Sequence, residues 1–90
     1  MTIYECDGFR AYEAKHAAGA ADVFASRLAR REYGKAGYVR TIRLDSWTQD
    51  GSIATFECFI GRPLYGLTRN ESDRGTTTGH NVRLTVYRRR

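Results

Sequence analysis

Two hydrophobic periodicities divide this 90-residue chain into elements. Within residues 17–33, apolar side chains recur three and four positions apart, at Ala21, Phe24, Ala25 and Leu28. This spacing predicts one amphipathic helix with a single apolar face. Gly34 follows the pattern and suits the C-terminal cap of the helix, because glycine adopts the left-handed conformation without steric cost.

After the helix the pattern changes to alternation, which is typical of half-buried strands. It predicts three strands, at residues 38–44, 53–60 and 82–88. A turn at Asp50-Gly51 joins the first two into a hairpin. Before the helix, the turn signal Asp7-Gly8 predicts two more short strands, at residues 2–6 and 9–13. Residues 64–80 show no periodicity and predict a long loop.

The order of these elements is β(β)αβββ, which predicts an α+β fold of two layers in a single domain, residues 1–90. We expect an antiparallel β-sheet of three to five strands with one amphipathic helix packed on one face. Alternate residues of the strand at 53–60 share a face, and they are Ala54, Phe56, Cys58 and Ile60. We expect this face to pack against Phe24 and Leu28 and to form the main core.

The charge of the chain is strongly asymmetric. The net charge is +5, yet residues 1–61 carry eight basic and eight acidic side chains and are neutral. Residues 62–90 carry seven arginines against Glu71 and Asp73. Such asymmetry favours an anionic partner, and the planar fork of arginine binds two oxygens of a phosphate or carboxylate at once.

Catalytic chemistry has little support in the sequence. No GxSxG, HExxH or P-loop motif occurs. Cys6, His16, Cys58 and His80 stand singly, whereas zinc ligands come in close pairs. We therefore expect a protein that is not an enzyme, with no metal, no cofactor, no small-molecule substrate and two free thiols.

The chain also lacks the features of a membrane or secreted protein. No apolar run approaches the roughly 20 residues that span a bilayer. The start, MTIYECDGFR, has no basic segment followed by an apolar stretch, so it does not resemble a signal peptide. We expect a cytoplasmic protein with no membrane partner.

The candidate binding residues are cationic and aromatic side chains in two groups. On the helix, Arg27, Arg30 and Arg31 share one exposed side and form a stripe. The second group comes from the last third of the chain: Arg62, Tyr65, Arg69, Arg74, Arg83, Tyr87, Arg88, Arg89 and Arg90. We expect the arginines of this second group to form one positive surface. The alternatives without a function are a solvated helix face for the first group and, for Arg88, Arg89 and Arg90, a frayed terminus.

Part of the chain resembles a known class of proteins. The run YEAKHAAGAADVFASRLARREYGKAGYVRTIRL, a hairpin and then IATFECFIG make residues 11–61 similar to small phage anti-CRISPR proteins that act on type I systems. The resemblance implies a bacterial host cell and a backbone subunit of the Cascade surveillance complex as partner. It also implies that binding there blocks target DNA. It transfers no individual functional residue.

The residues themselves leave a second hypothesis open. Arginines interleaved with aromatic side chains are also typical of a small basic module that binds DNA or RNA directly, without Cascade. The two hypotheses differ in how binding to bare nucleic acid responds to salt, because contacts to phosphates weaken steeply as salt rises.

Overall fold

The computed structural model describes residues 1–63 and 77–89. It contains five strands and one α-helix, which is followed by a short 3₁₀ turn at Gly34–Ala36. The elements are β1 (Thr2–Glu5), β2 (Tyr12–Ala14), α1 (Ala17–Tyr33), β3 (Tyr38–Trp47), β4 (Ile53–Pro63) and β5 (Thr77–Arg88). The strands form one antiparallel sheet in the order β2-β1-β5-β4-β3, and α1 packs on one face. The predicted α+β fold is confirmed.

The helix has the predicted bounds because its sequence supports them at both ends. Its first three turns are rich in alanine, which has the highest helix propensity. At the other end, Gly34 has φ 75° and its backbone N–H donates to the carbonyl oxygen of Arg30. This glycine therefore satisfies one of the carbonyls that a helix end leaves unpaired.

The core lies between α1 and the middle of the sheet, as predicted. Phe24, Phe56, Cys58 and Ile60 are buried in one cluster. Leu28 is only partly buried and packs against the edge of this cluster. The helix contributes four more residues that are fully buried, Ala20, Ala21, Ala25 and Ala29. Their small side chains let the helix backbone approach the sheet closely.

The strands are longer than the alternation predicts. β3 continues to Trp47, β4 to Pro63, and β5 begins at Thr77. The predicted strand at 53–60 excludes Pro63, whereas β4 includes it. This proline lies beyond the end of β3, which begins opposite Gly61. The N–H that proline lacks is therefore not needed to pair with β3.

The predicted loop at residues 64–80 needs a correction at its end. Residues 77–80 belong to β5, and residues 64–76 lie outside the described part of the chain. A glycine such as Gly79 is typical of a turn, but here it lies inside a strand. In the structure it pairs with Gly61, and a Cβ atom at position 79 would overlap the carbonyl oxygen of Ile60. The glycine is required by a close approach of two strands.

Candidate functional site

The described arginines on β5 and directly after it contact groups from the neutral part of the chain. Arg83 lies 3.5 Å from the Asp45 carboxylate, and Arg89 lies 2.6 Å from that of Glu5. Arg88 donates a hydrogen bond of 3.1 Å to the carbonyl oxygen of Asp50. The positive excess of the last third is thus partly offset by contacts that cross the sheet.

These arginines do not form the single surface that was expected. Arg62 pairs with Thr78, ten residues before Arg88 on β5, so the two arginines lie about 33 Å apart along the strands. Arg83 and Arg89 lie on the opposite face of the sheet from Arg62 and Arg88, because side chains alternate along a strand. For the described arginines the prediction is wrong, because charges counted along the sequence do not show which residues the strand register brings together.

The remaining members of this group are placed as follows. Tyr87 is exposed and pairs with Ile53, near the end of β5. Four predicted residues lie outside the described part of the chain: Tyr65, Arg69, Arg74 and Arg90.

Two arginines of the helix stripe turn toward the β1–β2 turn. Arg27 donates a hydrogen bond of 2.9 Å from Nη1 to the carbonyl oxygen of Arg10. Arg31 donates one of 3.0 Å from Nη2 to that of Gly8. The Arg31 guanidinium also lies 4.4 Å from the centre of the Phe9 ring, which is within the range of a cation–π contact. The third member, Arg30, is exposed and lies outside this contact region.

The Arg27 guanidinium is held by two further rings. It lies 5.6 Å from the centre of the Tyr12 ring and 5.8 Å from that of Phe24. Because Phe24 is fully buried, the Arg27 guanidinium lies next to a core residue. Each of the two helix arginines thus has an aromatic contact and a hydrogen bond to the turn.

Between α1 and the turn lies a groove of about 410 Å³, here called the arginine groove. Its lining residues are Gly8, Phe9, Arg10, Arg27 and Arg31. Helical spacing of four places Arg27 and Arg31 side by side, and the turn supplies Arg10. The described lining contains no carboxylate. The acidic side chains of Glu5 and Asp7 line a neighbouring hollow instead.

The arginine groove can bind an anion. Each guanidinium carries five N–H donors, and the contact to a backbone carbonyl occupies one of them in Arg27 and in Arg31. The two guanidinium groups at this groove, with Arg10 also in its lining, suit the oxygens of a phosphate. The same carbonyl contacts tie the turn to the helix, so these arginines also stabilise the fold locally.

Sequence reasoning found Arg27 and Arg31 but missed Arg10 and Phe9. Arg10 lies in the part of the chain that is neutral overall, so the charge tally concealed it. The turn signal at Asp7-Gly8 could have indicated them, because Phe9 and Arg10 directly follow this tight turn.

A second polar cluster joins the end of α1 to the start of β5. The Tyr33 hydroxyl lies 2.6 Å from His80 Nδ1, and His80 Nε2 lies 3.2 Å from a Glu32 carboxylate oxygen. The histidine and glutamate side chains are about half exposed. We interpret this cluster as a tie between the helix and the strand.

The two thiols are poor nucleophiles. Cys6 and Cys58 are buried and free. Burial raises the pKa of the Cys6 thiol, and it also raises the pKa of Cys58, which reaches about 11 with a smaller contribution from nearby carboxylates. Both thiols are therefore protonated at neutral pH, whereas the thiolate is the reactive form.

In the described ranges, 1–63 and 77–89, no three side chains of His, Cys, Asp or Glu are grouped so as to hold a metal ion. No helix in those ranges has the length and apolar character needed to cross a membrane. No family model, curated protein or solved structure matches this chain.

Proposed function

We propose that this protein is a non-enzymatic binding protein that holds the phosphates of a nucleic acid in the arginine groove. The observation that carries the proposal is the convergence of the Arg27 and Arg31 guanidinium groups on one open groove, which Arg10 also lines and whose described lining contains no carboxylate. Arg83 and Arg89 support it less, because they already pair with carboxylates.

The contacts that Arg27 and Arg31 already make in the folded protein favour binding. A free arginine side chain loses considerable rotational freedom when it contacts a ligand. Arg31 already contacts the Phe9 ring and Arg27 the Tyr12 ring, which reduces the rotational freedom left to lose on binding. The planar guanidinium then presents paired donors that match two phosphate oxygens.

A nucleic acid fits this site better than a single small phosphate. The arginine groove is shallow and open, so one phosphate in it stays close to water and binds weakly. A polymer adds contacts to further exposed cations and draws on the net charge of +5 for electrostatic steering.

Within this proposal, the target that the resemblance of residues 11–61 implies is a type I Cascade complex in a bacterial cytoplasm. Cascade holds guide RNA along its backbone subunits and receives target DNA beside it. A protein that engages phosphates at that place, or contacts a backbone subunit next to it, blocks target DNA. We propose inhibition of Cascade as the biological form of the activity.

The experiment compares arginines that differ in location but not in charge. Fluorescence anisotropy measures binding of labelled duplex DNA and single-stranded RNA to wild type and to the variants Arg10→Ala, Arg31→Ala and Arg30→Ala. Arg30 is the matched control, because it is exposed on the same helix and lies outside the groove. Each groove variant should weaken binding and reduce the slope of log affinity against log salt by about 0.7–0.9.

Two results would count against the groove. Equal losses in all three variants would show that only net charge matters. Wild-type affinity in both groove variants would place the contact elsewhere. A parallel assay with purified Cascade separates the two targets: an inhibitor should prevent target DNA binding at salt concentrations that abolish its binding to bare nucleic acid.

A further inference from the structure

The outer half of β3 exposes apolar side chains on the side of the sheet that α1 covers elsewhere. Ile42 is 37% exposed, Leu44 45% and Trp47 66%. Their partners on β4 are Cys58, Phe56 and Ala54, all of which are buried. At the start of β3, by contrast, Val39 packs against the core. The three exposed residues are here called the β3 strip.

An irregularity in β3 places these residues on one face. Leu44 pairs with Phe56 and Ser46 with Thr55, so Asp45 is an extra residue, as in a β-bulge. Without it, Leu44 and Trp47 would lie on opposite faces, because they are three positions apart. The bulge therefore extends the β3 strip to Trp47.

We propose that β3 pairs antiparallel with β3 of a second copy of this chain, around a two-fold axis at Leu44. β3 is the last strand of the sheet order, so its outer backbone edge has no strand beside it among the described residues. The pairing would join two five-stranded sheets into one. The pairing does not involve the arginine groove, so it is independent of the proposed function.

One register satisfies both faces at once. With Leu44 opposite Leu44 of the second copy, Ile42 lies opposite Trp47 on the helix side. On the other side, Arg43 lies opposite the bulge that contains Asp45. The two-fold axis repeats the apolar contact between Ile42 and Trp47 and the contact of opposite charges between Arg43 and Asp45, so each occurs twice. A two-fold interface must be self-complementary in this way.

The charges of β3 already form ion pairs across the sheet and can extend them to the second copy. The Arg43 side chain is 73% exposed and lies 3.3 Å from Glu57, while Asp45 lies 3.5 Å from Arg83. In the pair, Arg43 of one copy would join the Asp45 and Arg83 contact of the other. Bulges and charges on an edge strand normally discourage pairing with arbitrary strands. Here they also specify the register, which favours an identical strand.

The first test is disulfide trapping with single cysteines introduced on β3. The natural thiols are buried, so Leu44→Cys and Ile42→Cys each add one accessible thiol. Paired residues have Cα atoms about 4.5–5.5 Å apart, within the range of a disulfide. The two Ile42 positions would be about 13 Å apart, four residues along the strand.

We therefore expect mild oxidation to cross-link Leu44→Cys with itself but not Ile42→Cys with itself. Ile42→Cys mixed with Trp47→Cys should form the heterodimer. Equal cross-linking of Leu44→Cys and Ile42→Cys would overturn the register. No cross-link in any combination would overturn the pairing and would leave the edge to a strand of another protein.

A second test needs no cysteine and does not disturb the core. Sedimentation velocity measures the dimer fraction of wild type and of Arg43→Asp, Asp45→Arg and the double variant. Each single variant places like charges opposite each other and should lose most of the dimer, while the double variant should recover it. A wild type that stays monomeric at every concentration, or a double variant no better than the singles, would contradict the proposal.

Discussion

Replacing Phe24 with alanine tests the packing on which the fold and the arginine groove both depend. The ring is fully buried between α1 and the sheet. It also lies 6.0 Å from the Phe9 ring and 5.8 Å from the Arg27 guanidinium. The substitution therefore removes a central core contact and one support of the groove.

The expected cost is about 3–5 kcal/mol, the usual range for removing a buried phenylalanine side chain. A domain of this size is stable by only about 5–15 kcal/mol, so this is a large fraction of the total. Because 1 kcal/mol moves Tm by about 4–8 °C in a domain of 60–100 residues, we expect a fall of at least about 12 °C.

The assay is thermal unfolding followed by circular dichroism in dilute protein. Trp47→Ala is the matched control, because it also removes an aromatic ring but from a site that is 66% exposed. That variant should change the free energy of unfolding by less than about 0.5 kcal/mol. If Phe24→Ala lowered Tm by less than about 4 °C, the helix would not pack through this face.

Three further predictions concern local features. Gly79→Ala should destabilise the protein by about 1–3 kcal/mol in urea unfolding, because the added Cβ would overlap the carbonyl oxygen of Ile60; an unchanged midpoint would refute this close approach. Hydrogen bonds from Ser52 and Thr48 hold the pKa of Asp50 well below its ordinary value, so wild type should lose stability as pH falls below about 4. Asp50→Asn should lack this part of the acid dependence; identical pH profiles would refute the prediction. Burial raises the pKa of Cys58 to about 11, so the stability that its neutral thiol contributes should be lost as pH rises from about 9 to 11. The difference in the free energy of unfolding between wild type and Cys58→Ala should therefore shrink over that range, and a constant difference would contradict the prediction.

The core could be predicted from the sequence because it depends on local periodicity. Apolar spacing around Phe24 identified the helix and its buried face, and alternation around Cys58 identified the inner face of β4. A small domain has few ways to bury two such faces, so the layer order followed.

The candidate site could be predicted only in part, because it depends on contacts between distant elements. Arg27 and Arg31 share a helix face, which sequence spacing shows. The turn that adds Arg10, and the pairing of Arg83 with Asp45 and of Arg89 with Glu5, depend on the docking of the turn and on the strand register. Charge counted along the chain therefore pointed to the end of the protein rather than to the arginine groove.

The arginine groove can be tested most directly by observing its guanidinium groups in solution. NMR spectra of the arginine Nε–Hε signals, recorded during titration with a short oligonucleotide, report on each side chain separately. We predict that the signals of Arg10, Arg27 and Arg31 shift with saturation while those of Arg83 and Arg89 stay nearly unchanged. Shifts confined to Arg83 and Arg89, with the three groove signals unmoved, would contradict the account.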